Sequence, residues 1–186
     1  MECWRAVAHP VEGDDRAVAW SELVTSLSAV QVKAHYLLYR EWALRLRGRT
    51  DVNIGIDGGR RLAAMDVELL EFITVLTQNA DLDPNIAIAH AISGLVRVGL
   101  LDGEFQYGSK QDLSADSSYS HVLRVKPSIA GVELFGWAMG CPGIQAISFI
   151  AAELDEETDG SPLPDRLESA ILLNLPELPA SDDLKP

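Results

Sequence analysis

Asn85, Ala89, His90, Ser93 and Arg97 fall on one face of a helical repeat in "NIAIAHAISGLVRVGLLDGEF", opposite Ile88, Ile92 and Leu95. A carboxamide, an imidazole, a hydroxyl and a guanidinium on one face supply the donors and acceptors that meet base edges in a duplex groove. Ala87 lies beside them, and the small or apolar Ile86, Ala87 and Ala89 fit equally well against a protein surface. A second group, Arg45, Arg47, Arg49, Arg60, Arg61 and Lys110, has the chemistry of phosphate contact. Arg60 and Arg61 stand just before a predicted second helix, whose amino end can share a phosphate with them. The alternative for these cations is pairing with Asp51, Asp57 or the acidic tail; Lys110 is countered by Asp112 and Asp116.

Spacings that would point to catalysis are missing. There is no glycine-rich phosphate loop, no nucleophile elbow and no pair of carboxylates at a motif spacing. His9, His35, His90 and His121 form no local cluster, and Cys3 and Cys141 lie far apart without metal-ligand spacing, as expected of reduced, buried thiols. The acidic run Glu153, Asp155, Glu156, Glu157 and Asp159 lacks the central glycine of a calcium loop and reads as a solvated linker. The expectation is a protein without catalytic residues, metal or cofactor.

The 186 residues carry a net charge of −13, which disfavours nucleic acid and anionic membrane surfaces as a whole. The distribution is uneven. Residues 33–61 hold seven basic against three acidic side chains, whereas residues 128–186 hold two against eleven. "MECWRAVAHPVEGDD" has no apolar signal core, so a cytoplasmic protein is expected. Residues 128–152 carry one charge, Glu133, but "GCPG" divides them into halves too short to span a bilayer, so no membrane is expected among the partners.

The elements that must position these side chains follow from periodicity. Ser28 and Gln31 have capping-box spacing, and Val30, Ala34, Leu37, Leu38 and Leu44 continue a helix that Gly48 can close. "DVNIGID" alternates as a strand ended by Gly58 and Gly59, and Leu62, Met65, Leu69, Phe72, Ile73 and Leu76 make one helical face over residues 60–78. Asp83 and Pro84 open a third helix that buries Ile88, Ile92, Leu95 and Val96 and stops at Gly99. Leu101, Phe105 and Tyr107 alternate on a strand, "GSKQDLSADSS" is a loop, and Tyr119, His121, Leu123 and Val125 alternate on the returning strand. Residues 128–140 predict a helix, residues 144–152 a strand (a helix being the alternative), and "DRLESAILLNL" a short amphipathic helix after the acidic linker.

This order, with "LVRVGLL" at Leu95 to Leu101 and "VKPSIAGVELF" at Val125 to Phe135, resembles the winged helix-turn-helix superfamily over about residues 28–127. The resemblance implies an α+β domain, helix-strand-helix-helix-strand-wing-strand, whose third helix makes sequence contacts near Ile86, Ala87, Ala89, His90 and Ser93. It also implies a basic wing tip, where this chain has Lys110. The expected organisation is an N-terminal extension (1–27), the winged-helix domain (28–127), a helix plus strand packed on it (128–152) and an acidic linker with a helix (153–186). The leading expectation is a non-enzymatic regulator gripping double-stranded DNA through arginine. The alternatives are a winged-helix protein-protein interaction module and an acidic decoy that mimics DNA. The first long helix and the last amphipathic one are candidate homodimer elements.

Overall fold

The computed structural model describes residues 16–47, 49, 51–78, 83–109, 121–139 and 167–172. Lys110, Cys3, Cys141, His9, Gly48, the strand expected over 144–152 and the acidic linker lie outside the described residues. Within them the chain is α+β. The helices are α1 (Arg16–Ser26), α2 (Ala29–Arg45), α3 (Asp57–Leu62), α4 (Leu69–Thr77), α5 (Pro84–Arg97) and α6 (Ile129–Ala138). The strands are β1 (Met65–Glu68), β2 (Gln106–Ser109), β3 (His121–Val125) and β4 (Ile171–Leu172). Among the described residues no helix is long and apolar enough to cross a membrane.

Helix α2 is the centre of the packing. The expected capping box forms: the Ser28 hydroxyl accepts from the Gln31 amide, and the Gln31 side chain accepts from the Ser28 amide. Ala34, Leu37, Leu38, Tyr39 and Trp42 are buried, and α4, α5 and α6 pack around the helix. Polar atoms buried with them need partners. The Trp42 indole donates to the Ala63 carbonyl at 2.8 Å, and the Tyr39 hydroxyl donates to Leu100 at 2.7 Å while accepting from the Ser128 amide at 2.9 Å. Two glycines admit these side chains. A Cβ at Gly131 of α6 would overlap the Tyr39 ring and the Leu100 carbonyl, and one at Gly94 of α5 would overlap the Gln31 carboxamide.

The sheet is antiparallel with order β2-β3-β1-β4. Two expectations fail here. "DVNIGID" is not a strand: the Asn53 side chain accepts from the Gly55 amide and the Asn53 carbonyl accepts from Ile56, folding the stretch into turns that still bury Val52 and Ile54. The single helix expected over 60–78 is instead α3, β1 and α4. Met65 and Val67 enter the core from β1, and Asp66, 1% exposed, receives both arms of Arg124 at 2.8 and 3.0 Å from its register partner on β3. That buried pair stabilises a strand where helical spacing alone predicts a helix.

Asp83 caps α5 by accepting from the amides of Asn85 and Ile86, and Gly99 ends the turn after it at φ +77°. β2 begins at Gln106, so Leu101 is not part of it but bridges to Pro127. The C-terminal amphipathic helix is also corrected: residues 167–170 turn, and β4 pairs Ile171 and Leu172 with Asp66 and Met65. Within the expected N-terminal extension, residues 16–26 form helix α1.

His35 donates from Nε2 to the Gly131 carbonyl at 3.1 Å and lies 4.5 Å from the Tyr39 ring. Burial lowers its pKa from 6.5 to about 4, against the upward pull of that hydrogen bond. A basic group depressed in the folded state contributes stability that is complete above the unfolded value and lost as pH falls through the window between the two. About 2 kcal/mol should therefore be gone by about pH 5. Urea unfolding of His35→Gln, which keeps a donor but does not titrate, should show a pH profile flatter by that amount. Gly131→Ala should cost about 2–3 kcal/mol in the same assay, while Gly103→Ala, where a Cβ meets nothing within 4 Å, should change stability by under about 0.5 kcal/mol.

Candidate functional site

Helix α5 packs against α2 and α4 and leaves one long face outward. Asn85, Ala89, His90, Ser93 and Arg97 are all exposed on it, as their spacing predicts. Ile86 joins them at 66% exposure, the largest apolar side chain of the face. Ala87 does not: it is 2% exposed and lines the inner face with Ala91, Ile92, Gly94 and Leu95, whereas Ile88 and Val96 are half-buried. Packing there is close: Gln31 of α2 lies against Gly94, where a Cβ would overlap it, and donates to the His90 carbonyl at 3.3 Å. His90 is anchored at its ring as well, with Nε2 3.1 Å from the Ser28 hydroxyl that caps α2.

The arginines are placed differently from one another. Arg45 donates to the carbonyls of Leu167 and Glu168 at 3.2 and 3.4 Å and pairs with Glu41. Arg49 is buried and forks onto Asp51 at 2.8 and 2.6 Å. The Arg49 guanidinium holds the Asp51 carboxyl below its ordinary range. Arg60 joins Asp102 at 3.3 Å, Asp57 at 3.7 Å and the Ile54 carbonyl at 3.3 Å, tying α3 to the segment that leads into β2. Arg61 pairs with Asp57 at 2.7 Å but remains 69% exposed, and Arg47 and Arg97 are exposed. Arg60 and Arg61 do not precede the second helix of the pair; they end the short α3, where the negative end of the helix dipole favours the cations themselves.

On the hairpin, Phe105 and Tyr107 stack with ring centroids 6.5 Å apart, and Tyr107 is 65% exposed. Among the described residues no group of three His, Cys, Asp or Glu could hold a metal ion.

A further cluster escapes the sequence reading. Glu41 of α2 and Glu71 of α4 both aim carboxylates at the backbone of residues 167–169. Its one signal was Glu41 itself, a charge on the apolar stripe between Leu37 and Leu44. The amides these carboxylates meet lie 97 to 126 residues away in the chain, where no periodicity reaches.

No family model, no curated protein and no solved structure matches this chain.

If the two neighbouring arginines have the different roles their contacts indicate, stability separates them. Arg60→Ala should cost about 1–2 kcal/mol in urea unfolding, since it takes one donor from Asp102 and one from the Ile54 carbonyl. Arg61→Ala, an exposed ion pair, should cost under about 0.5 kcal/mol.

Proposed function

We propose that this chain is a non-enzymatic winged-helix module that binds a protein partner through the outward face of α5. The connectivity supports the winged-helix reading. After α2 the chain runs β1, α4, α5, β2, β3, with β3 between β1 and β2 in the sheet and α4 packed on α5. Helices α1, α3 and α6 and strand β4 are additions to that plan.

The observation that carries the choice of partner is where the cations go. Arg45, Arg49 and Arg60 already serve carboxylates or carbonyls of their own chain, so the basic segment offers less charge to a phosphate backbone than its composition suggests. The α5 face meanwhile presents Ile86 and Ala89, with Asn85, His90 and Ser93 around them. An apolar side chain seated in a partner's pocket within a ring of hydrogen-bonding groups is an arrangement suited to protein recognition.

A second reading, a regulator on double-stranded DNA, is favoured by the exposure of Arg61, Arg47 and Arg97 together with Asn85 and His90. Gel retardation of duplex DNA at low salt by the full chain separates the two. No shift is expected. Retardation that weakens as salt rises and disappears in an Arg61→Ala, Arg97→Ala double variant would overturn the protein reading. On the positive side, a photo-crosslinking residue at Ala89 should capture one defined protein in the native cell. Capture should fall with Ile86→Glu and be absent when the crosslinker sits at Val18 on α1.

A further inference from the structure

Residues 167–172 are held largely through their backbone. Their turn, closed by the Ala170 amide on the Leu167 carbonyl, points its first three amides at two carboxylates. Leu167 donates to Glu41 at 3.1 Å, Glu168 to Glu71 at 2.7 Å and Ser169 to the other oxygen of Glu71 at 3.0 Å. Arg45 meets the carbonyls of Leu167 and Glu168. The Ser169 hydroxyl donates to Glu71 and accepts from the Glu68 amide. Leu167 and Ala170 fill fully buried sockets, and Ile171 and Leu172 add a short strand to the edge of β1. The contacts that Glu41, Arg45 and Glu71 make to this segment are to peptide backbone, apart from that of Glu71 to the Ser169 hydroxyl. Leu167, Ser169 and Ala170 are buried, Leu172 packs half-buried against the core, and Glu168 points to solvent.

Backbone capture by fixed charges, two sockets and strand addition at an edge are the components of a peptide-recognition site. We propose that Glu41, Arg45, Glu71 and the edge of β1 form a peptide-binding cradle in which residues 167–172 sit as a detachable resident ligand. Its competing occupant is a partner segment of the same chemistry: leucine, any residue, serine, alanine, then an extended apolar pair. The resident contributes two buried apolar side chains and two register pairs, a small share of the core, so it opens without the rest unfolding. Being tethered, it holds the cradle against weak competitors and yields to stronger ones. The cradle is built from α2, α4 and β1 and includes no residue of the outward face of α5.

The test keeps the full chain and weakens only its own segment. Leu167→Asp with Ser169→Pro places a charge in a socket and removes an amide, leaving Glu41, Arg45 and Glu71 intact. Fluorescence anisotropy with a labelled peptide of residues 165–175 should show saturable binding to this variant, and binding at least roughly tenfold weaker to the unaltered chain, whose resident competes. Adding Glu71→Gln, or replacing the peptide's serine by alanine, should weaken binding by roughly tenfold. A cooperatively folded variant that does not bind the peptide overturns the proposal. If the variant fails to fold, hydrogen exchange on the unaltered chain decides. Amides of Leu167, Glu168 and Ser169 exchanging at least roughly tenfold faster than that of Leu123 support a detachable ligand. Exchange of all four only with global unfolding overturns it.

Discussion

One buried hydroxyl sets the geometry of the helical layer. Tyr39 sits in the middle of α2, and its oxygen must be satisfied where no water reaches, with burial holding its proton on far above ordinary pH. It is satisfied by the Leu100 carbonyl, just beyond α5, and by the Ser128 amide, at the cap of α6. Three helices meet at one oxygen. The contact requires α6 to approach without a side chain, which is why a glycine stands at position 131. His35, one turn earlier, uses the same opening to reach the Gly131 carbonyl. The sheet is then placed by the ring that packs edge-on against Tyr39, through the Trp42 indole on Ala63 two residues before β1 begins.

What could be read from the chain, and what could not, divides by distance along it. The Ser28–Gln31 box, the Asp83–Pro84 start and the Gly99 stop depend on residues within four positions of one another, and all three form. The strand β1 defeats the same method. Leu62, Met65, Leu69 and Phe72 keep helical spacing through it, while the interaction that stabilises the strand, Asp66 with Arg124, joins residues 58 positions apart. "DVNIGID" fails in the opposite sense. Its alternation is real, but the Asn53 carboxamide offers the backbone a local turn that competes with a strand. Of the candidate site, the outward positions of α5 followed from periodicity. Ala87 stands four residues before the buried Ala91, so its inward position follows the same period. The Leu167 and Glu168 carbonyls that Arg45 meets and the Asp102 partner of Arg60 are non-local and could not be read from spacing.

The charge map takes on a different meaning with those partners in place. The excess of basic residues between 33 and 61 looks like a surface feature when counted along the chain. Folded, much of it is structural. Arg49 closes a loop on Asp51, Arg60 ties α3 to Asp102 and Arg45 holds the backbone of the C-terminal turn. The carboxylates show the same pattern, with Glu41 and Asp66 each 1% exposed. Buried or half-buried charges of this kind specify which segments meet, since each leaves a costly unpaired partner if the wrong one docks.

The Ser28 hydroxyl serves two elements at once. It caps α2 by accepting from the Gln31 amide, and it lies within hydrogen-bonding distance of the His90 ring on the outward face of α5. Gln31 closes the circuit by reaching from the same cap to the His90 carbonyl. A molecule that engages the His90 imidazole competes with the end of α2 for it, and the helix that precedes that cap, α1, is joined to it through Leu27 and Ser28 alone. Thermodynamic linkage makes the exchange reciprocal: a ligand that alters the cap changes the order of the α1–α2 junction, and a shift at that junction changes the affinity of the α5 face by the same factor.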